Sequence, residues 1–185
     1  NPFLEYSNHQ YKAMKNAYAG HLKYSFQLRP HTVADQAYIG AYQGIGVGYF
    51  NFGNPEELGN PLAVYLFQGG RIAQFSPRIS LNYEWNFGAS FGWKPYDEYD
   101  NPENQIIGSK VNAYLNVNLY LKWALSPKFD LMIGATGSHF SNGNTQYPNS
   151  GLNTVDCKVG LVYNFNRRAD ELAQSWQRPI VPPFP

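Results

Sequence analysis

The stretch Arg78-Ile-Ser-Leu-Asn-Tyr-Glu-Trp-Asn-Phe-Gly-Ala-Ser-Phe-Gly-Trp93 alternates without a break. Its odd positions run Ile79, Leu81, Tyr83, Trp85, Phe87, Ala89, Phe91, and its even positions run Ser80, Asn82, Glu84, Asn86, Gly88, Ser90. A period of two places these sets on opposite faces of a β-strand. Lys110–Trp123 repeats the pattern, with Val111, Leu115, Val117, Leu119 and Leu121 opposed to Asn112, Tyr114, Asn116, Asn118 and Tyr120. Both runs exceed the roughly 5–6 residues of a typical soluble strand and are long enough to cross a bilayer with tilt.

The composition says which face meets what. Charged residues make up 15% of the 185 and aromatics 17%, whereas a soluble domain carries about 25% charged residues. No run approaches the roughly 18 apolar residues of a spanning helix. Abundant glycine and aromatics with little charge fit a membrane β-barrel. A soluble lipocalin-like barrel would turn the apolar face inward and set Lys, Glu and Thr outside. Here the polar face is Gly, Asn, Ser and Tyr, as in Gly40, Gly44, Gly46 and Gly48 opposite Ile39, Ile45 and Val47. Such residues suit the filled interior of a narrow barrel of about eight strands, in which Glu84, Lys110, Lys122, Asp130, Asp156 and Lys158 can pair. The net charge of +1, with no Lys/Arg cluster, argues against a nucleic-acid partner. Cys157 stands alone on an apolar face, a small hydrophobe with no disulfide partner.

Further strands are expected at about 19–28, 37–50, 61–75, 129–139 and 153–165. Residues 61–75 are apolar on both faces, Leu62-Val64-Leu66 and Ala63-Tyr65-Phe67. The count is seven, and bacterial single-chain barrels use an even number, so an eighth strand is expected upstream of Asn1. An export signal is also required and none opens the sequence, which reads as a mature or trimmed form. Arg29-Pro30, Ser76-Pro77 and Ser126-Pro127 mark turns on the periplasmic side. The stretches 1–17, 51–60, 94–107 and 140–152 form the longer outer loops. The expected division is a barrel over 1–165 and a periplasmic C-terminal tail over 166–185 containing a short helix.

Parity also places His139 and Asn153 on the apolar faces of their strands, and Ser141 joins them if the alternation continues, at the loop edge outside the ladder. A potential base and nucleophile on an apolar outer surface point to chemistry on a lipid. Without further information His139 reads as a rim histidine, and Ser141-Asn142-Gly143-Asn144 as a tight turn. His9, His21 and His31 lack metal-ligand spacing and read as structural or solvated. Asp97-Glu-Tyr-Asp100-Asn-Pro-Glu103 lacks the ordered register of a calcium loop and reads as a solvated outer loop.

The run His139-Phe-Ser-Asn-Gly-Asn-Thr-Gln-Tyr-Pro148-Asn149-Ser-Gly151-Leu-Asn153 resembles the PagL family of outer-membrane lipid A 3-O-deacylases, also called acyloxyacyl hydrolases, and is closest to its Bacteroidota branch. The resemblance extends through Tyr42-Gln-Gly-Ile-Gly, Leu58-Gly-Asn-Pro-Leu-Ala, Phe87-Gly-Ala-Ser-Phe-Gly-Trp93 and Ile107-Gly-Ser-Lys. It implies an eight-stranded antiparallel transmembrane barrel whose outer surface carries a His-Ser-Glu triad. That triad hydrolyses the ester of the acyl chain at the 3 position of lipid A without metal or cofactor. Carried over, Ser141 is the nucleophile, His139 the general base, and Asn142 a contributor to the oxyanion hole. Asn153 stands where the family has its glutamate, and Asn144 where it has a glycine.

The resemblance thus implies a serine esterase in the bacterial outer membrane, acting on lipopolysaccharide of the outer leaflet. The alternative is a catalytically degenerate barrel serving as a structural or accessory subunit beside outer-membrane protein partners, suggested by Asn153 and the tail. A transport pore fits poorly, because a barrel of this size fills its lumen with side chains.

Overall fold

A computed structural model describes residues 17–28, 32–38 and 40–172 of the chain. Seven strands follow one another as β1 (Tyr18–Gln27), β2 (Tyr42–Asn51), β3 (Gly59–Ser76), β4 (Ile79–Trp93), β5 (Val111–Ala124), β6 (Phe129–Ser141) and β7 (Leu152–Tyr163). Each pairs antiparallel with the next, in the order β1-β2-β3-β4-β5-β6-β7. The sheet curls. Glu84, in the middle strand β4, receives both Lys23 of β1 and Lys158 of β7, the latter at 3.4 Å. Only a sheet rolled toward closure brings side chains of its first and last strands to one carboxylate.

β1 and β7 are not themselves paired, so the described strands form an open, curled half-barrel. Seven strands are described against the eight expected. The predicted boundaries otherwise hold within a few residues, with one correction. Residues 37–50 do not form one strand, because a one-turn helix α1 (Val33–Ala37) precedes β2. Thr32 Oγ1 caps it by accepting the Asp35 N–H at 3.2 Å. Gly40, at φ +66, closes it with an N–H bond to Asp35 O at 2.9 Å. Ile39 lies outside the described residues, as do residues 1–16.

The faces divide as parity predicts. Phe87 is 55% exposed and Leu119 50%, whereas Glu84 and Asn118 are 3% and 2% exposed. The outer surface is therefore apolar around the curled sheet, and the inner face of β4 and β5 is polar. Inside, Asn116 Nδ2 donates to Thr136 Oγ1 and Ser138 Oγ of β6, and Asn118 Nδ2 donates to Glu84 Oε1. These bonds satisfy groups that would otherwise be buried unpaired.

The interior also departs from the small polar filling expected. In β3, Ala63, Tyr65 and Phe67 point inward and Leu62, Val64 and Leu66 outward. Tyr65 is paired across the sheet with Gly46 on one side and Gly88 on the other. A Cβ at Gly46 would lie 2.5 Å from the Tyr65 ring, so the glycine is what admits the ring. Toward the loop end, Phe50, Phe52, Trp93, Tyr114 and Phe140 stack into one aromatic cluster. This cluster fills the inner face of the sheet at this end.

Among the candidate interior charges, Lys110 is exposed just ahead of β5. The partners of the others include two residues that parity alone did not single out. Lys23 joins Glu84, and Arg167, beyond β7, meets Asp130 Oδ1 at 2.7 Å. His21 faces inward and bonds Tyr65 OH at 2.9 Å, a structural role.

The connections are asymmetric. At the β3–β4 turn, Ser76 Oγ accepts the N–H of Arg78 and Ile79; at the β5–β6 turn, Ser126 Oγ accepts those of Lys128 and Phe129. Each Ser-Pro pair thus closes a short turn. The 94–110 and 142–151 loops leave from the opposite end. Arg167 also donates to the carbonyls of Pro127 and Ser126, tying the chain after β7 to the short-turn end. A 3-10 helix, Ala169–Leu172, follows, and residues 173–185 lie outside the description.

Candidate active site

β6 and β7 pair in register with His139 directly opposite Asn153, and Phe140 opposite Leu152. Phe140 and Leu152 point into the aromatic cluster and are fully buried. Alternation therefore turns His139 and Asn153 outward, onto the apolar surface next to Leu115, the partner of His139 on β5. His139 Nδ1 lies 2.8 Å from Asn153 Oδ1. An amide oxygen only accepts, so this contact fits an imidazole with its proton on Nδ1 and its lone pair on Nε2. That tautomer is the one a general base needs.

Ser141 shares the outward face two residues beyond His139. It is not outside the ladder, as the sequence suggested, but is the last residue of β6, paired with Ala113 of β5. On the β7 side the register has already ended at Phe140–Leu152. Ser141 thus stands at the corner where β6 leaves the sheet, held on one side and open on the other. No hydrogen bond joins its hydroxyl to the imidazole among the described residues. Catalytic hydrogen bonds commonly tighten only with substrate.

Asn142 begins the loop and is engaged within it. Its N–H donates to Asn149 Oδ1 at 3.2 Å, and its Nδ2 donates to Gln146 O at 2.7 Å. The amide has a second hydrogen, which these bonds leave available. Gly143 and Asn144 follow at φ +65 and +64, and Thr145 N–H returns to Asn142 O at 3.4 Å. Two successive positive φ values mark a type I′ turn. Asn is among the few side chains that tolerate this conformation, so Asn144 suits its position in the turn.

The family model for lipid A 3-O-deacylase (PagL) matches residues 3–162. The chain belongs to the lipid A 3-O-deacylase family. No curated protein and no solved structure matches it. Membership accounts for the apolar outer surface, since the PagL family acts on lipid A in the outer membrane as a β-barrel.

Two contacts of this PagL-family site were not legible as roles in the sequence, although their residues were. Asn149 holds the Asn142 N–H, and Gly151, at φ +69, lies against the imidazole: a Cβ built on it would be 3.1 Å from His139 Cε1. Both belong to the Pro148-Asn149-Ser150-Gly151 segment, whose spacing alone assigned neither contact. Asp156 lies on the opposite face of β7 from Asn153, so it offers the imidazole no carboxylate.

Proposed function

We propose that this chain is an outer-membrane serine esterase that removes an ester-linked 3-hydroxyacyl chain from lipid A. The observation that carries the reading is the 2.8 Å contact of His139 Nδ1 with Asn153 Oδ1, on the apolar outer face that also bears Ser141. His139 Nε2 takes the Ser141 proton as Oγ attacks the ester carbonyl. The tetrahedral oxyanion is met by the second Nδ2 hydrogen of Asn142. The same Nε2 returns the proton to the departing sugar oxygen, and the acyl chain remains on Ser141. Water, deprotonated by Nε2, then releases the 3-hydroxy fatty acid and restores the serine.

Asn153 orients the ring but carries no charge to stabilise the imidazolium, so the chemistry runs below the rate a carboxylate would support. In this reading the loop end faces the cell exterior, and lipopolysaccharide of the outer leaflet reaches His139 laterally from the membrane. The strands between Tyr18 and Tyr163 are the barrel wall of this reading, and the chain after β7 leaves on the periplasmic side.

Mass spectrometry of lipid A from cells lacking the protein, expressing it, or expressing Ser141→Ala tests the proposal. The expected result is loss of one 3-hydroxyacyl mass only with the unaltered chain. Identical lipid A in all three would overturn it.

A further inference from the structure

We infer that Gly151 is a positioning residue for the His139 imidazole, lying beside its Nδ1–Cε1 edge. The inference rests on the esterase reading, because it concerns how the base is aimed. Three observations lead to it. Asn153 holds the ring at Nδ1. The Cβ that Gly151 lacks would lie 3.1 Å from Cε1 and 3.8 Å from Nδ1. Gly151 therefore covers the Nδ1–Cε1 edge, beside the atom that links the held nitrogen to the reacting one. Its φ of +69 aims the missing Cβ at the ring, and the same Cβ would stand 3.4 Å from Phe140 O.

The rest of the segment is anchored on both sides of Gly151. Asn149 Oδ1 accepts the Asn142 N–H at 3.2 Å, and Ser150 Oγ donates to Gln105 O at 3.1 Å. Leu152 then enters the ladder opposite Phe140. The backbone at 151 has little room to retreat, so a side chain there moves the ring instead. A carbon at 3.1 Å is inside the 3.5–4.0 Å optimum of carbon contacts. Relief comes by turning the imidazole, which stretches the Asn153 bond and re-aims Nε2. The specific role of this glycine is thus to leave room beside the Nδ1–Cε1 edge while Asn153 holds Nδ1.

Two effects of a substitution must be separated, backbone strain and the ring contact. Gly92 supplies the control. It has φ +87, yet its nearest neighbours would stand 3.6 and 3.7 Å from an added Cβ. Gly92→Ala carries the strain without touching the site. Gly151→Asn provides the reverse case, because Asn tolerates positive φ but still adds a Cβ.

The experiment uses the full chain in detergent micelles, with histidine-labelled NMR and steady-state deacylation of purified lipid A. The His139 ring signals are assigned by their loss in His139→Gln. Gly151→Ala and Gly151→Asn should both shift those signals and lower kcat by about 10-fold to 100-fold with KM little changed. Gly92→Ala should leave the ring signals in place and kcat within about twofold. Unmoved His139 signals in both Gly151 variants, or full activity in Gly151→Asn, would overturn the inference with the serine chemistry intact. Undiminished activity of Ser141→Ala would overturn the esterase reading itself.

Discussion

His139 Nδ1 and Asn153 Oδ1 stand 2.8 Å apart across the β6–β7 ladder, a directly opposed pair on the outer surface of the curled sheet. The pair contains an orienting group and no counter-charge. Since Asp has nearly the shape of Asn, Asn153→Asp places a carboxylate oxygen at the same contact. The imidazolium formed in the transition state then gains a charged partner. We expect deacylation to rise by about tenfold or more, measured as kcat on purified lipid A. Asn153→Ala, which leaves Nδ1 without its acceptor, should lower it by about tenfold. A rate unchanged by both substitutions would mean that the pair does not act on the base.

Glu84 holds two cations in the lumen. Its side chain is 4% exposed, and those of Lys23 and Lys158 are 17% and 15% exposed. Removing the shared anion leaves two partly buried ammonium groups facing each other, so Glu84→Gln should destabilise the fold by about 3 kcal/mol. Urea unfolding in micelles measures this. Adding Lys158→Gln should recover part of the loss, since one uncompensated charge is then gone.

Gly46 faces the Tyr65 ring, and any side chain there collides with it. Gly46→Leu should cost about 1–3 kcal/mol by overpacking, read by the same unfolding assay. Pairing it with Tyr65→Ala should relieve much of that cost, because the ring's volume is vacated. An additive double mutant would show that the two residues do not compete for space.

The Asp97 carboxylate accepts the N–H groups of Asp100 and Tyr99 at 3.0 and 2.9 Å. These two backbone donors hold its pKa below the ordinary value of 3.8. A depressed carboxylate stabilises the loop at every pH above that ordinary value, and the contribution fades as pH falls through the lower, folded one. The protection factors of the Tyr99 and Asp100 amides, corrected for intrinsic exchange, should therefore fall as pH drops below about 3.8. Asp97→Asn, whose oxygen still accepts but does not titrate, should remove the acid dependence and keep protection at neutral pH.

Period-two alternation is a local property, and it determined most of this fold from the sequence. It defined the strands of residues 79–93 and 111–124, the apolar exterior and polar interior, and the shared outward face of His139, Ser141 and Asn153. Each Ser-Pro pair named its turn because the caps lie within three residues. The same rule was silent at residues 61–75, where both faces are apolar. There the direction was decided by Gly46 and Gly88, which lie opposite Tyr65 and leave space for its ring only inside. The partners of Glu84, the pairing of Ser141 with Ala113, and the contact of Gly151 with the imidazole were likewise decided by the tertiary structure. Parity says which face a side chain takes. The neighbours on that face come from strands far away in the chain, and only register and curl bring them together.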